Sequence, residues 1–437
     1  MWHWVEKIIM NIKHVNHSSL FIKRNEFAIL TDPWVHSVAF GGWKQSPGAD
    51  DKIIKQALEF SGDKCLILIS HGHDDHFDDN FIRENFSNST IAIAKFRSPG
   101  VRFRAQSVSD AEVIEVDQSG FNRNGFEIKA YINDKYTGDD AIFIIADKNH
   151  FLVHANDNWH IQPKHILSAI SKDASAFDGS LIAWCSQVGI AGSWPIYYEQ
   201  YSFKERTNII KQALEKMLIG SLKNAVEIGA SYLYAYANQS MFINKVEYLQ
   251  FYQRDVWINS LISKYSDKYP LKIEQLFPGS KLFDKNLSAK ENPLFNANIT
   301  ELKSENFDYH ENECTGNKLF NVNFAELKSE DLVCFENECN EYLNNKINYK
   351  ASHVGLYIDG SDRVIQAKAE SKWGGELNIV ASKDIWVRVL NVSLNIEAMT
   401  IGGMCGIYKK DRDQNLRDIH IGLSNFGYKY QAIKNKK

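Results

Sequence analysis

Residues 65–76 read CLILISHGHDDH, and this pattern indicates both a fold class and a functional site. The first five residues form a continuous apolar run, which is typical of a strand buried on both faces of a sheet. The run leads directly into three histidines and two aspartates at residues 71–76. In a tight loop, residues two apart can face one cavity. The segment therefore predicts a site at the end of a buried strand.

The spacing H-x-H-x-D-H is suited to metal ions. Imidazole and carboxylate groups are natural ligands of zinc and iron. We expect His71 and His73 to bind one metal, and Asp75 and His76 to bind a second metal beside it. A metal there would lower the pKa of bound water or, as iron, bind and activate oxygen. The predicted cofactors are therefore one or two divalent metal ions, iron or zinc.

The residues around this loop continue an α/β pattern. Apolar runs and alternating patterns predict strands at 20–24, 27–31, 126–132, 141–146, 151–155 and 231–237. Helices are predicted at 51–60 and at 203–226, where apolar residues recur three and four positions apart. We therefore predict a catalytic α/β domain at residues 1–245.

The remainder of the chain changes in character. From about residue 275 to 350 the sequence is rich in Asn, Lys and Glu. A hairpin is then predicted at 353–366, followed by an alternating strand at 385–393. We interpret residues 246–437 as a smaller accessory α+β domain.

The composition excludes several classes of protein. Of the 437 residues, 44% are hydrophobic and 24% charged, which argues against disorder, and the net charge of −4 gives no support for nucleic-acid binding. No apolar run reaches the roughly 18 residues of a membrane span. Charged residues near the N-terminus argue against a secretory signal, and six cysteines suit reduced thiols. We expect a cytoplasmic protein with a small-molecule substrate and no nucleic-acid or membrane partner.

The loop at 71–76 resembles the metal loop of the metallo-β-lactamase superfamily. The resemblance implies a four-layer αββα sandwich with the metal site at the strand ends. Residues 14–20 (HVNHSSL) and 31–34 (TDPW) resemble segments of the ascorbate-6-phosphate-lactonase and phospholipase-D-like branches. Asp157, two residues after the strand 151–155, lies where the superfamily places a metal-bridging aspartate.

Residues 12–245 are similar, in particular, to the metallo-β-lactamase-type portion of CMP-N-acetylneuraminate hydroxylase. The similarity rests on residues 32–34 (DPW), 39–43 (AFGGW), the metal loop, 156–157 (ND) and 189–195 (GIAGSWP). It implies oxidation of a sugar nucleotide by an iron enzyme that receives electrons from a Rieske cluster. No cysteine here has a histidine two residues on, so the Rieske ligands are missing. An oxygenase would need a separate electron-transfer protein.

The sequence also departs from the superfamily at the metal site. The superfamily usually adds one histidine after the strand 126–132 and another near the strand 231–237, and both are missing here. Oxygen ligands could replace the first, and they are harder than imidazole, which favours iron or manganese over zinc. The substitutes we considered are Asp134, Tyr136, Asp139 and Asp140 in the first region, Tyr236 and Asn238 near the second, and His154 and His160.

These arguments define the candidate site. The metal ligands are predicted to be His71, His73, Asp75, His76 and Asp157. The candidate catalytic residues are Asp75, His17 and Tyr136, with His17 also considered as a neighbour that orients the ligands. We further predict that no histidine outside residues 14–17, 71–76 and 154–165 approaches the metal position.

Three functions remain open on this basis. The first is hydroxylation or oxidation of an anionic small molecule, such as a sugar nucleotide, with an external electron donor. The second is metal-dependent hydrolysis of an ester, phosphoester, amide or lactone. The third is a non-catalytic binding protein with a degenerate metal site, which the intact cluster of ligands disfavours.

Overall fold

A computed structural model describes residues 10–132, 140–177, 179, 181–190, 192, 194–196, 201–238, 240–242 and 254–283, together with four strands between residues 353 and 409. The helices in these ranges are α1 (Asp51–Leu58), α2 (Asp79–Asn85), α3 (Gly100–Val108), α4 (Lys164–Ala176), α5 (Phe203–Glu227) and α6 (Arg254–Tyr265). No helix among the described residues combines the length and apolar character that a membrane crossing requires.

The described strands up to residue 283 are β1 (Asn11–Asn16), β2 (Ser19–Arg24), β3 (Phe27–Thr31), β4 (Trp43–Gln45), β5 (Cys65–Ile69), β6 (Thr90–Ala94), β7 (Val113–Val116), β8 (Phe121–Arg123), β9 (Phe126–Ile132), β10 (Ala141–Ala146), β11 (His150–Asn156), β12 (Leu181–Gln187), β13 (Tyr232–Tyr236), β14 (Ser240–Phe242) and β15 (Lys272–Gln275).

Two large sheets contain most of these strands. The first has the order β1-β2-β3-β5-β6-β7, with an antiparallel meander at β1–β3 and parallel pairing from β3 to β7. The second has the order β15-β13-β12-β11-β10-β9-β8, and its strands β11, β12, β13 and β15 pair in parallel. Strand β15 lies beyond position 245, so the second sheet draws on residues from both sides of that position.

The side chains of each sheet alternate between two hydrophobic cores. In β5, Leu66 and Leu68 face the second sheet, whereas Ile67 and Ile69 pack against α1, α2 and α3. The outer face of the second sheet packs in the same way against α4, α5 and α6. This arrangement is the four-layer αββα metallo-β-lactamase sandwich that the sequence predicts.

The element bounds follow from local chemistry. Strands β5 and β10 begin and end as predicted, because each is a short apolar run between turn residues, and β9 does so because its buried residues alternate with polar ones at its start. Helix α5 begins after Ser202, whose hydroxyl accepts the Glu205 N–H while the Glu205 carboxylate accepts the Ser202 N–H, a capping box. Helix α1 ends at Leu58, two residues before the predicted end.

The remaining described strands are β16 (His353–Ile358), β17 (Val364–Lys368), β18 (Glu376–Ala381) and β19 (Gly406–Lys409), in the order β17-β16-β18-β19. The antiparallel pairing of β16 with β17 agrees with the hairpin predicted at 353–366. The predicted strand at 385–393 lies outside the described residues. The division into domains near residue 245 stays a prediction.

The topology brings three chain segments to one edge of the sandwich. Strands β3 and β5 are parallel neighbours, so Asp32 after β3 lies beside Ser70 after β5. Strand β11 of the second sheet ends at Asn156, immediately before Asp157. Asp32 and Asn156 both have positive φ, at 39° and 40°, which turns the chain sharply at each strand end. The residues at the carboxyl ends of β3, β5 and β11 therefore lie together in one site.

Candidate metal centre

Two groups of ligand atoms lie at this edge. The first group comprises His71, His73 and Asp157, and the second comprises His17, Asp75 and His76. Within each group, the nitrogen and oxygen atoms all lie within 4.8 Å of one another. The structure thus brings together every predicted metal ligand, and it places the catalytic candidate His17 beside Asp75 and His76.

Asp157 faces both groups. One of its oxygens, Oδ2, lies 4.0 Å from His71 Nε2, and the other, Oδ1, lies 3.4 Å from His76 Nε2. In the first group, His71 Nε2 and His73 Nδ1 are 2.9 Å apart. A carboxylate with one oxygen toward each group is placed to bridge two ions, which is the role that the family resemblance implies for it.

Several buried atoms at the site lack a hydrogen-bond partner. They include His76 Nε2, Asp75 Oδ1 and Asp157 Oδ1. Buried polar atoms are normally paired, since leaving one unpaired costs about 1–3 kcal/mol. His76 Nε2 and Asp157 Oδ1 lie 3.4 Å apart, and all three atoms are good metal ligands. The residues present therefore fit one or two divalent metal ions.

The charges at the site also favour a cation. Burial alone would lower the pKa of His76, but the carboxylates of Asp157 and Asp75 outweigh it and raise this pKa well above its ordinary value. Burial, together with the nearby His76 and His73, lowers the pKa of His71. The carboxylates thus stabilise positive charge between the two groups, and a divalent ion would supply it in place of a proton.

Asp32 lies beneath the ligands and accepts hydrogen bonds from several sides. Its Oδ2 lies 2.9 Å from His154 Nε2 and 3.1 Å from His76 Nδ1, and its carboxylate also accepts the backbone N–H and the hydroxyl of Ser70, at 2.7 and 2.6 Å. Burial alone would raise the pKa of Asp32, but His154 and His76 outweigh burial and hold this pKa well below its usual range. Asp32 is therefore a buried, ionised acceptor.

This acceptor determines which nitrogens face the metal position. Because ionised Asp32 can only accept, the single proton of neutral His76 lies on Nδ1, and in that form Nε2 keeps its lone pair for a metal. The Ser70 hydroxyl donates to Asp32, so its oxygen accepts from His71 Nδ1 at 3.0 Å, and His71 Nε2 keeps its lone pair and faces His73 Nδ1 at 2.9 Å. Outer hydrogen bonds of this kind orient metal-binding histidines in many proteins.

Neither His154 nor His160, which we considered as substitute ligands, belongs to either ligand group. The Asn156 N–H donates to Tyr236 Oη at 3.0 Å, and Tyr236 Oη donates to His154 Nδ1 at 2.8 Å. Both nitrogens of His154 are therefore engaged away from the metal position. The His160 ring stacks on Trp159, with centroids 3.6 Å apart.

An oxygen ligand does lie near the first group. Asp140 Oδ1 is 3.9 Å from His71 Nε2, in the segment where the sequence offered oxygen in place of a histidine. Asp134, Tyr136 and Asp139 lie outside the described residues, so the predicted role of Tyr136 stays a prediction. The side chains of His310, His353 and His420 lie outside them as well.

Arg104 is a contributor that the sequence did not indicate. Its guanidinium donates to the carbonyl oxygens of Gly72 at 2.6 Å and Phe77 at 2.9 Å. It also donates to Asp79 at 2.9 Å and to Asp74 at 3.2 Å. One side chain from α3 thereby spans the metal loop from end to end. No local pattern marks it, because its partners are about 30 residues away in the sequence.

We expect Arg104→Lys to loosen the metal loop. A lysine keeps the charge but cannot make these parallel bonds, because its ammonium is a point charge and the guanidinium is a planar fork. Metal affinity should fall about tenfold, as is typical when an outer partner of a metal site is lost. The matched control is Arg102→Lys on the same helix, where the exposed Arg102 pairs with Glu115 at 3.2 Å. Metal titration that shows equal affinities for both variants would contradict this role.

The chain matches one family model and is similar to several solved structures. Residues 11–172 match the family model described as the beta-lactamase superfamily domain. A similar solved structure is CmlA, a diiron beta-hydroxylase from Streptomyces venezuelae, with 17% identity and a TM-score of 0.42 over 62% of this chain and 54% of that one. Another is Igni18, a metallo hydrolase from Ignicoccus hospitalis, with 13% identity and a TM-score of 0.38 over 62% of this chain and 97% of that one.

Sequence relatives cover smaller parts of the chain. A protein of Mycolicibacterium smegmatis named "Putative Rieske 2Fe-2S iron-sulfur protein" is 30% identical over 84 residues, which is 19% of this chain and 15% of that protein. A similarly named protein of Mycobacterium tuberculosis is 26% identical over 113 residues, or 25% of this chain and 21% of that protein. The chain thus spans about a fifth or less of the length of these curated relatives.

Proposed function

We propose that the protein is a metal-dependent oxidoreductase that hydroxylates or oxidises an anionic small molecule. The observation that carries this proposal is the donor set of the first group, His71, His73 and Asp157, which is two imidazoles and one carboxylate. This set is typical of non-haem iron oxygenases. Asp140, with Oδ1 at 3.9 Å from His71 Nε2, adds a further hard oxygen donor and favours iron over zinc.

Different residues would bind the metal ions, orient the ligands and hold the metal loop in such a site. His71, His73 and Asp157 would hold the first ion, and Asp75 and His76 would hold the second, with Asp157 between them. Bound iron would supply oxygen binding and activation. Asp32 and Ser70 keep the two histidines in the metal-binding tautomer, and Arg104 keeps the loop in place around them. These contacts keep the ligands in position before any ion arrives.

The proposed electron donor is a separate protein. The described cysteines, Cys65 and Cys185, are buried within sheet strands, and burial raises the pKa of Cys65 to about 12. Neither thiol is therefore suited to bind an iron–sulfur cluster. The resemblance to CMP-N-acetylneuraminate hydroxylase supports a sugar nucleotide as substrate. The partial similarity to mycobacterial proteins with a Rieske name supports a link to electron transfer.

The alternative function is metal-dependent hydrolysis of an ester, phosphoester, amide or lactone. The observation that favours it is the position of Asp157 between two adjacent ligand groups. Two ions held side by side can activate water and stabilise both oxygens of a displacement. Oxidation requires a redox-active metal and an electron supply, whereas hydrolysis requires neither, so metal identity together with reductant-dependent oxygen uptake separates them. A degenerate, non-catalytic site would hold neither metal.

Metal content tests the proposal directly. The protein should be purified without chelator under anaerobic conditions and measured by elemental analysis. We expect iron, and we expect oxygen uptake that depends on an added reductant. Zinc together with hydrolysis of model esters would overturn oxidation in favour of the alternative, and a chain without bound metal would overturn both.

We expect His71→Ala and His73→Ala each to remove metal from the first group while the fold is kept. The hydrophobic cores do not include these side chains, so circular dichroism should be unchanged. His165→Ala is the matched control, since His165 is an exposed histidine on α4. Elemental analysis that shows unaltered metal in both loop variants would contradict the assignment.

A further inference from the structure

We propose that His17 is a metal ligand of the second group, and that it supplies the imidazole that the end of β13 lacks. This inference rests on the proposed function, because it assumes a metal-dependent site. His17 lies in the turn between β1 and β2, a part of the chain that the superfamily resemblance does not assign to metal binding.

The distances in the second group match a shared ion. His17 Nε2 lies 3.2 Å from Asp75 Oδ2, and His76 Nε2 lies 3.8 Å from the same oxygen. Ligand atoms bound about 2.1 Å from one ion are about 3.0–3.4 Å apart for octahedral and tetrahedral angles. The three atoms are therefore spaced as neighbours around a single ion with only small adjustments.

The backbone of His17 is held in an unusual conformation. Its φ is +47°, in the left-handed region that costs a non-glycine residue of order 1 kcal/mol or more. Its N–H donates to Asn16 Oδ1 at 2.8 Å, and its carbonyl accepts from His14 Nε2 at 2.8 Å. The ring meets Trp34 edge-on, with centroids 5.2 Å apart. Because the left-handed backbone conformation of His17 is costly, its presence favours a functional role for the side chain.

The end of β13 takes part in this arrangement. The superfamily resemblance expects an imidazole near this strand end, where the chain has Ala237 and Asn238 instead. The Ala237 N–H donates to the His17 carbonyl at 2.9 Å, and Ala237 has a φ of +55°. Gly189 packs against Ala237 on another side, where a Cβ would lie 2.7 Å from the Ala237 oxygen. The end of β13, which lacks a histidine, thus holds in place the β1–β2 turn that carries His17.

A simpler role for His17 would be to orient Asp75 through their hydrogen bond. The substitution His17→Gln separates the two roles. A glutamine amide can still donate to the Asp75 carboxylate, but it is a poor ligand for first-row divalent metals. If His17 only positions Asp75, the variant should bind metal as the unaltered protein does. If His17 is a ligand, the variant should lose an ion.

The test uses cobalt(II) alone as the probe. The full chain is stripped with chelator and titrated with Co²⁺, and bound metal is counted by elemental analysis and followed by visible absorption. We expect two ions in the unaltered protein, but one tight ion in His17→Gln and at least tenfold weaker binding of the second. His165→Gln, an exposed histidine, is the control. Two ions with unchanged affinity in His17→Gln would overturn the inference and leave the proposed function standing.

A second measurement needs no variant. Proton NMR of the cobalt-loaded unaltered protein detects the shifted, exchangeable ring N–H of each bound imidazole. Four such signals are expected, from His17, His71, His73 and His76, whereas three would overturn the role of His17. A chain that binds no cobalt at all would instead overturn the proposed function, so the two failures are distinguishable.

Discussion

Asp157→Ala is expected to cause the largest loss of bound metal of any single substitution at the site. Its carboxylate faces His71 at 4.0 Å and His76 at 3.4 Å, so its removal takes a ligand from both groups at once. We expect metal affinity to fall by more than about 100-fold, beyond the range typical of outer partners. Turnover should fall in parallel. Elemental analysis and isothermal titration with metal measure the effect.

The matched control is Asp147→Ala. Asp147 is also a buried carboxylate, held by Arg24 at 3.7 Å and by His150 at 3.0 Å, but it lies at the opposite end of β11 from Asp157. Its removal should cost stability and leave metal binding intact. Equal metal affinities in the two variants would show that Asp157 is a structural residue and not a ligand.

Asp32→Asn is expected to cause the largest loss of stability. Four donors converge on the Asp32 carboxylate, and an asparagine would offer them only one acceptor oxygen and an NH₂ group that cannot accept. Loss of one partner from a buried charged cluster costs about 3–5 kcal/mol. The metal affinity of the folded fraction should also fall about 10–100-fold, because the tautomers of His71 and His76 are no longer fixed.

Asp78→Asn serves as the comparison for Asp32→Asn. Asp78 is equally buried, and its side chain accepts the backbone N–H groups of Val35, His36, Ser37 and Phe81. The variant should lower the free energy of unfolding without a comparable loss of metal affinity, because the partners of the Asp78 carboxylate are backbone N–H groups and not ligand histidines. Thermal unfolding and metal titration of both variants decide the matter, and a similar loss of affinity in both would contradict the role of Asp32.

The contribution of Asp32 should also depend on pH in a defined direction. Its pKa in the folded protein lies well below its ordinary value, so the folded state prefers the ionised form. Such a group stabilises the fold above its unfolded pKa of about 3.9, and the stabilisation is lost as the pH falls through the folded pKa. The difference in unfolding free energy between the unaltered protein and Asp32→Asn should therefore shrink as the pH falls below about 4.

The parts of the fold that could be predicted are those with a local signal. Strand β5 and its loop were predictable because an apolar run leads into clustered ligands, and Asp157 because it closely follows a buried strand. Strand β15 was not predicted, since its four residues alternate only weakly and it is defined by pairing with β13. Strands β6 and β12 were missed, although their runs TIAIA and LIAWCSQ carry the same apolar signal as β5.

Prediction of the site from the sequence was limited even more by its dependence on local patterns. The sequence indicated that His17 lies near the metal, but its contact with Asp75 joins positions 58 residues apart and could not be measured from spacing. The contact of Arg104 with Gly72 spans 32 residues, and arginines on surface helices have no distinguishing pattern. Long-range contacts of this kind depend on how strands and helices pack, so only the folded chain reveals them.

The position of Asp32 also has a consequence for the order in which the protein assembles. Its hydrogen bond to His154 joins positions 122 residues apart, and it links the end of β3 in one sheet to β11 in the other. The first group likewise needs His71 and His73 from one sheet and Asp157 from the other. Metal can therefore enter this group only after the two halves of the sandwich have docked. An ion at about 1,000 times its dissociation constant stabilises the docked state by about 4 kcal/mol. Bound metal would therefore oppose the separation of the two sheets and slow the first step of unfolding.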